Sequence, residues 1–215
     1  MRREVIGNCE LYLGDCMELM ARYPDKYFDL AIVDPPYGLK RIENGTGHYA
    51  EKYCPQGKKW DMRPTKDYFD RLFQISKNQI IWGGNYFSLP PRRGWICWYK
   101  SDEIKNRTFS EFELAWTSIG SPARHFTEKP FIRGGERIHP TQKPISLYKW
   151  LLSKYAKPGW KILDTHFGSG SIAVACNELG FKLTASEIDP DYFEAACKRI
   201  TEADKQRLLN LEGAA

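Results

Sequence analysis

The order of elements along the chain predicts an α/β protein whose mostly parallel sheet is covered by helices on both faces. Three observations carry this. Apolar, strand-like runs alternate with helical patterns over 215 residues. Trp160 to Ala173 reads as strand, glycine-rich turn and helix start in direct succession, the order of a nucleotide-binding βα unit. The apolar run Asp29 to Val33 leads straight into Asp34-Pro35-Pro36-Tyr37. That places the tetrapeptide at a strand's carboxyl end, where open α/β sheets hold their ligands.

In chain order, strands are expected at Cys9 to Leu13, Asp29 to Val33, Gln79 to Trp82, Trp95 to Tyr99, Glu111 to Thr117, Trp160 to Leu163 and Lys182 to Ser186. Helices are expected at Lys66 to Ser76, Ile145 to Tyr155, Ser171 to Leu179 and Asp191 to Arg207. A short helix-like segment, Cys16 to Ala21, follows Asp15, a residue type common at helix starts. The helix near residue 145 is the clearest: Pro144 suits a first turn, and Ile145, Leu147, Tyr148, Leu151, Leu152 and Tyr155 share one apolar face. Thr141 is the expected cap of that segment. Gly38 to Trp60 holds four glycines and no apolar period. It reads as a long loop, a mobile lid or clamp at 38–60.

The two motifs carry different chemistry. An amino group conjugated to a base ring is a poor nucleophile, because its lone pair is delocalised. Acceptors from Asp34 and from a carbonyl such as that of Pro35 would favour a tetrahedral nitrogen, while Tyr37 offers a flat face for stacking. Pro35 and Pro36 stiffen the turn and remove backbone donors. In the second motif, Gly168-Ser169-Gly170-Ser171-Ile172-Ala173 fits a relaxed dinucleotide fingerprint, and Glu187 stands 19 residues after Gly168, where an acid holds ribose hydroxyls. Asp164 just ahead of the turn would repel a pyrophosphate and attract an ammonium or sulfonium. That disfavours a nicotinamide cofactor. No Lys follows Gly170, so the phosphate loop of nucleotide triphosphatases is absent too.

Composition sets outer bounds. With 42% hydrophobic and 27% charged residues the chain is an ordinary globular protein, expected to be cytoplasmic, with no membrane-length apolar run. Six scattered cysteines and four histidines give no zinc spacing, so no metal is expected. Cys54-Pro55 is the reverse of the Pro-Cys pair of enzymes that methylate cytosine at carbon 5. The net charge of +5 is unevenly spread. Lys40 to Lys149 holds 20 basic against 11 acidic residues, a net of +9, while the flanks hold 12 against 16. A basic middle segment suits a polyanion. Lys40, Arg41, Lys52, Lys58, Lys59, Arg92, Arg93, Lys105 and Arg107 are its candidate DNA-binding residues.

Five stretches resemble the β-group of DNA amino-methyltransferases, in which the catalytic motif precedes the cofactor motif. They are Leu13 to Leu19, Asp34 to Tyr37, His139 to Pro144, Phe167 to Ser171 and Glu187 to Tyr192. They lie toward both ends of the chain and leave the middle weakly matched. The resemblance implies a Rossmann-like seven-stranded sheet with one antiparallel strand, in a single domain over 1–215, with a small target-recognition region at about 100–138. It implies S-adenosylmethionine as cofactor and double-stranded DNA as partner in a restriction–modification setting. Asp34, Pro35, Pro36 and Tyr37 would be catalytic. Asp15 would touch the cofactor adenine, Glu187 the ribose, Asp164 the amino group, and Thr141 and Lys143 the methionine end. Cys16, Asp34, Phe167, Gly168, Ser169, Gly170 and Ser171 would complete that pocket. Family members usually show Asp-Pro-Phe before the glycine turn; here the order is Asp164-Thr165-His166-Phe167, and His166 receives no role. Because Asp opens the catalytic motif, the implied product is N6-methyladenine, with N4-methylcytosine or an RNA amino-methylation as alternatives. Methylation of a protein glutamine is disfavoured, since that motif typically opens with Asn. Target sequence, nuclease partner and oligomeric state, a homodimer included, stay open.

Overall fold

The computed structural model describes residues 1–39, 62–102, 105, 110–129 and 137–212. Its strands are β1 (Arg2–Ile6), β2 (Cys9–Leu13), β3 (Phe28–Val33), β4 (Ser76–Trp82), β5 (Trp95–Tyr99), β6 (Phe112–Thr117), β7 (Arg124–Thr127), β8 (Lys161–Asp164) and β9 (Lys182–Glu187). Its helices are α1 (Cys16–Ala21), α2 (Lys66–Ile75), α3 (Ile145–Tyr155), α4 (Ser171–Leu179) and α5 (Pro190–Glu212). A 3-10 turn, Gly84–Tyr86, follows β4.

All nine strands join one sheet in the order β1-β2-β9-β8-β3-β4-β6-β5-β7. The seven expected strands form its inner part, and among them only β6 is reversed, antiparallel to both β4 and β5. Two further strands lie at the edges: β1 is antiparallel to β2, and β7 is parallel to β5. Among the described residues the sheet therefore has nine strands, the seven expected and two at its edges. Both additions carry almost no burial signal, since Arg2, Arg3, Arg124, His125 and Thr127 are exposed. An edge strand with charged side chains shows no apolar period and is protected from further pairing by those charges.

Helices cover both faces because the inner strands alternate. Leu30 and Ile32 of β3, with Ile80 and Trp82 of β4, enter one apolar cluster together with Leu147, Leu151, Ile172, Phe193 and Ile200 from α3, α4 and α5. Ala31, Val33 and Ile81 point the other way, into a cluster with Met20 of α1 and Tyr68, Phe69, Leu72 and Ile75 of α2. A period of two buried on both sides gives the continuous apolar runs of a central parallel strand. No helix among the described residues is long and apolar enough to cross a membrane.

One local expectation changes. Thr141 does not cap α3; Pro144 occupies the N-cap with no side-chain bond, and Thr141 Oγ1 lies 3.1 Å from His139 Nδ1. Pro144, expected in the first turn, stands one position earlier with extended backbone (φ −63°, ψ 145°), and its ring has no oxygen to accept from the first-turn N–H groups. Within the region 100–138, β6 and β7 belong to the sheet.

Candidate active site

Four acids stand in a row because four neighbouring strands run in the same direction. The order β2-β9-β8-β3 is parallel throughout, and each strand delivers a carboxyl group at its carboxyl end: Asp15 just after β2, Glu187 closing β9, Asp164 closing β8 and Asp34 just after β3. Residues from opposite ends of the chain thereby share one edge, the topological switch point of an open α/β sheet.

Concentrating carboxylates in a buried edge disfavours ionisation. Asp164 is 1% exposed, and burial, reinforced by Asp34 and Glu187, pushes its pKa from 3.8 to about 8 against the backbone N–H of His166, which donates to Oδ1 at 3.0 Å. Burial also raises Glu187, although the N–H groups of Gly168 (3.1 Å) and Asp189 (2.9 Å) donate to its two oxygens. Those bonds fix the carboxylate while leaving further lone pairs on each oxygen. An edge of this kind favours a cation.

The Asp164 shift has a consequence for stability. Its folded pKa lies above the unfolded value, so between about pH 4 and 8 the folded state binds more protons and loses stability as pH rises. Asp164→Asn is expected to flatten that part of the stability profile. Thermal melts of both proteins across this range test it, and parallel profiles would remove Asp164 as the cause.

Asp34 is held from two sides. The Tyr37 hydroxyl donates to Oδ1 at 2.7 Å, and the Lys143 ammonium forms a short ion pair with Oδ2. Lys143 is 3% exposed. Burial opposes its charge, but Asp34 and Glu113 outweigh that and raise its pKa. Its Nζ also lies 3.1 Å from Glu113 Oε2 and 5.1 Å from the Trp82 ring centre. Tyr37 stacks on Tyr86 with ring centres 5.1 Å apart and planes at 26°. Its ring edge crosses Gly83, where an added Cβ would meet Tyr37 Cε1 at 2.2 Å and where φ is +66°. Only glycine satisfies both conditions there.

The glycine turn is braced internally. Gly168 and Gly170 have φ of +48° and +73°, and a Cβ on Gly170 would come within 2.8 Å of Ile200. Ser171 Oγ donates to the carbonyl of Lys143 at 2.7 Å, while Arg199 donates to the Ser169 carbonyl (2.8 Å) and to Ser171 Oγ (3.0 Å). Ser169 Oγ lies 3.2 Å from Ser171 Oγ, and buried Phe167 meets Phe193 edge-on. The turn thus ties α5 to the strap that carries Lys143.

The remaining predicted residues fall into three groups. Asp15 caps α1, accepting from the N–H groups of Met17 (2.7 Å) and Glu18 (3.4 Å), and this brings Cys16 to 4.0 Å from His166 Nε2. Burial pushes the Cys16 thiol up to about 12 and the His166 imidazole down to about 4. Arg92 and Arg93 are exposed, whereas Lys105 is paired with Asp102 at 2.7 Å. Lys40, Arg41, Lys52, Lys58, Lys59 and Arg107, and with them most of the expected 38–60 clamp, lie outside the described residues.

Several site residues were not found from sequence. Glu113 joins Lys143 and is itself paired with Lys100; Tyr68 lies 2.6 Å from Thr165 Oγ1, which is 2.9 Å from His166 Nδ1; Arg199 braces the turn. The one available signal was Glu113, a carboxylate inside an otherwise apolar strand pattern.

Known proteins resemble this chain in sequence and in fold. Over 89% of this chain and 90% of its own length, YubD of Escherichia coli (strain K12), a protein named as a methylase, is 27% identical. The Type II methyltransferase M.HpaI of Haemophilus parainfluenzae is 22% identical, over 88% of this chain and 73% of that one. A crystal structure of the M1.HpyAVI–SAM complex superposes with a TM-score of 0.57 at 20% identity, covering 89% of this chain and 99% of that one. PvuII DNA methyltransferase, cytosine-N4-specific, gives 0.59 at 15% identity, over 95% and 94%. The N6/N4 DNA methylase family model matches residues 89–198, which include Lys143, the glycine turn and Glu187 and make up just over half of the chain. The chain belongs to the N6/N4 DNA methylase family.

Proposed function

We propose that the protein is an adenine-N6 methyltransferase acting on double-stranded DNA, with S-adenosylmethionine as methyl donor and Asp34 as the group that engages the target amine. The observation that carries this reading is the placement of Asp34 at the end of β3, beside the acid-lined edge formed by Asp164 and Glu187. When bound there, the cofactor supplies a methyl group on a positively charged sulfur.

The residues fit such a ligand by charge and by hydrogen bonding. Asp164, which burial holds toward its neutral form, would ionise opposite an ammonium group. Glu187, already oriented by two N–H groups, would accept from ribose hydroxyls. Asp15 and Cys16 border the same edge for the adenine, with Thr141 and Lys143 toward the methionine end. Beside Lys143, Asp34 and the Pro35 carbonyl would accept the two amine hydrogens of a base turned out of the duplex, with Tyr37 stacked on its ring. Holding the amine toward the methyl group is the contribution of these side chains, a positioning effect strengthened by exclusion of water. The exposed Arg92 and Arg93 suit phosphate contacts, which position DNA without reading it.

Aspartate at the head of the catalytic motif favours adenine over cytosine as the acceptor. The likeness of the fold to a cytosine-N4-specific enzyme makes N4-methylcytosine the second reading. Duplex DNA methylated by the purified protein, digested to nucleosides and separated by mass spectrometry, is expected to contain N6-methyladenine. N4-methylcytosine without methyladenine overturns the base assignment, and methylation of RNA alone overturns the DNA assignment.

A further inference from the structure

Four alternating charges run through the floor of the site. Lys100, just after β5, lies 2.6 Å from Glu113 Oε1 on β6; Glu113 Oε2 lies 3.1 Å from Lys143 Nζ; Lys143 pairs with Asp34 Oδ2. The side chains are 12%, 24%, 2% and 15% exposed along that series. The strand register explains the meeting. Antiparallel pairing sets Glu113 opposite Trp98 and Phe112 opposite Tyr99, so that Lys100 and Glu113 lie close together at the site edge of β5 and β6. The Lys100 N–H also donates to the carbonyl of Glu111 at 2.8 Å.

This geometry bears on what Asp34 can do. In the reading proposed above, on which the present inference rests, Asp34 must be a strong acceptor for the target amine. A lysine seated wholly on one of its oxygens in a poorly solvated site would neutralise it and occupy an acceptor position. Lys143 is not seated wholly there, because Glu113 also holds it. We infer that Glu113 is a positioning residue that shares Lys143 with Asp34, and that the Lys100–Glu113 pair sets how strongly Lys143 loads the catalytic carboxylate.

The two outer charges act in opposite senses. Without the Glu113 charge, Lys143 has one carboxylate left and moves fully onto Asp34. Without the Lys100 charge, Glu113 has one cation left and draws Lys143 away from Asp34. A merely structural role for the pair predicts instead that losing either partner damages the same fold and lowers turnover in both cases.

Single-turnover methylation of duplex DNA at saturating cofactor, with cofactor Kd by calorimetry and thermal melts on the same proteins, separates these outcomes. Glu113→Gln is expected to lower the methyl-transfer rate about tenfold, the order of a coupled neighbour rather than of the acceptor itself. Lys100→Gln is expected to raise it about twofold or more. Cofactor Kd should change less than the rate in both variants. Rates that fall in both, or that stay at the wild-type value in Glu113→Gln, overturn the inference. Should Glu113→Gln fail to fold, Glu113→Asp, which keeps the charge, is expected to retain more than half the wild-type rate; a tenfold loss in that variant counts against charge sharing. Wild-type protein that methylates no DNA would instead overturn the proposed function, leaving a distinct signature.

Discussion

Asp34→Ala is expected to lower methyl transfer by at least about a thousandfold, as removal of an acceptor aimed at the reacting group does. Cofactor affinity should change little, since the glycine turn follows β8 and Glu187 closes β9, whereas Asp34 follows β3. The variant should still fold, because Lys143, which loses one carboxylate, keeps Glu113 at 3.1 Å. Breaking a buried pair outright costs about 3–5 kcal/mol, so this second partner decides whether the result is interpretable. Asp34→Asn is the sterically matched companion: the amide can still accept a hydrogen bond from Tyr37 but carries no charge to offset Lys143. A transfer assay and calorimetry on the same preparation test the expectation. Turnover retained in either variant within tenfold of wild type removes Asp34 from the chemistry.

Glu187→Ala is expected to weaken cofactor binding by on the order of 2 kcal/mol or more, roughly thirtyfold in Kd, through loss of charge-assisted hydrogen bonds. Part of the effect is indirect. The same carboxylate accepts from the N–H of Gly168 and of Asp189, so its removal also frees the glycine turn. Glu187→Gln separates the contributions, because an amide keeps one carbonyl acceptor and the side-chain length. Once cofactor is saturating, transfer rates in both variants should approach wild type. A Kd unchanged from wild type in Glu187→Ala would take this residue out of the pocket.

The architecture was legible wherever burial leaves a pattern. Asp29 to Val33 and Lys182 to Ser186 read as strands because both of their faces are covered, and Ile145 to Tyr155 read as a helix because one face is. The edge strands Arg2–Ile6 and Arg124–Thr127 were not legible, since solvent-facing charges carry no period. Motif residues were legible for a related reason. Asp34, Asp164 and Glu187 sit at strand ends, where local sequence announces both the strand and its termination.

The sequence by itself therefore determined the fold class, the two ligand motifs and their placement at strand ends, because each depends on short-range pattern and on residue chemistry. The tertiary structure decided how distant charges meet. Strand order alone brings Asp34 beside Asp164, 130 residues away, where its charge adds to the burial that raises the Asp164 pKa to about 8. Lys143 closes on Asp34 across 109 residues, and Glu113 reaches the same lysine while antiparallel register brings Lys100 to the other oxygen of Glu113. A lysine's partner is chosen by which carboxylates the folded chain buries within reach of it, and no local pattern encodes that distance.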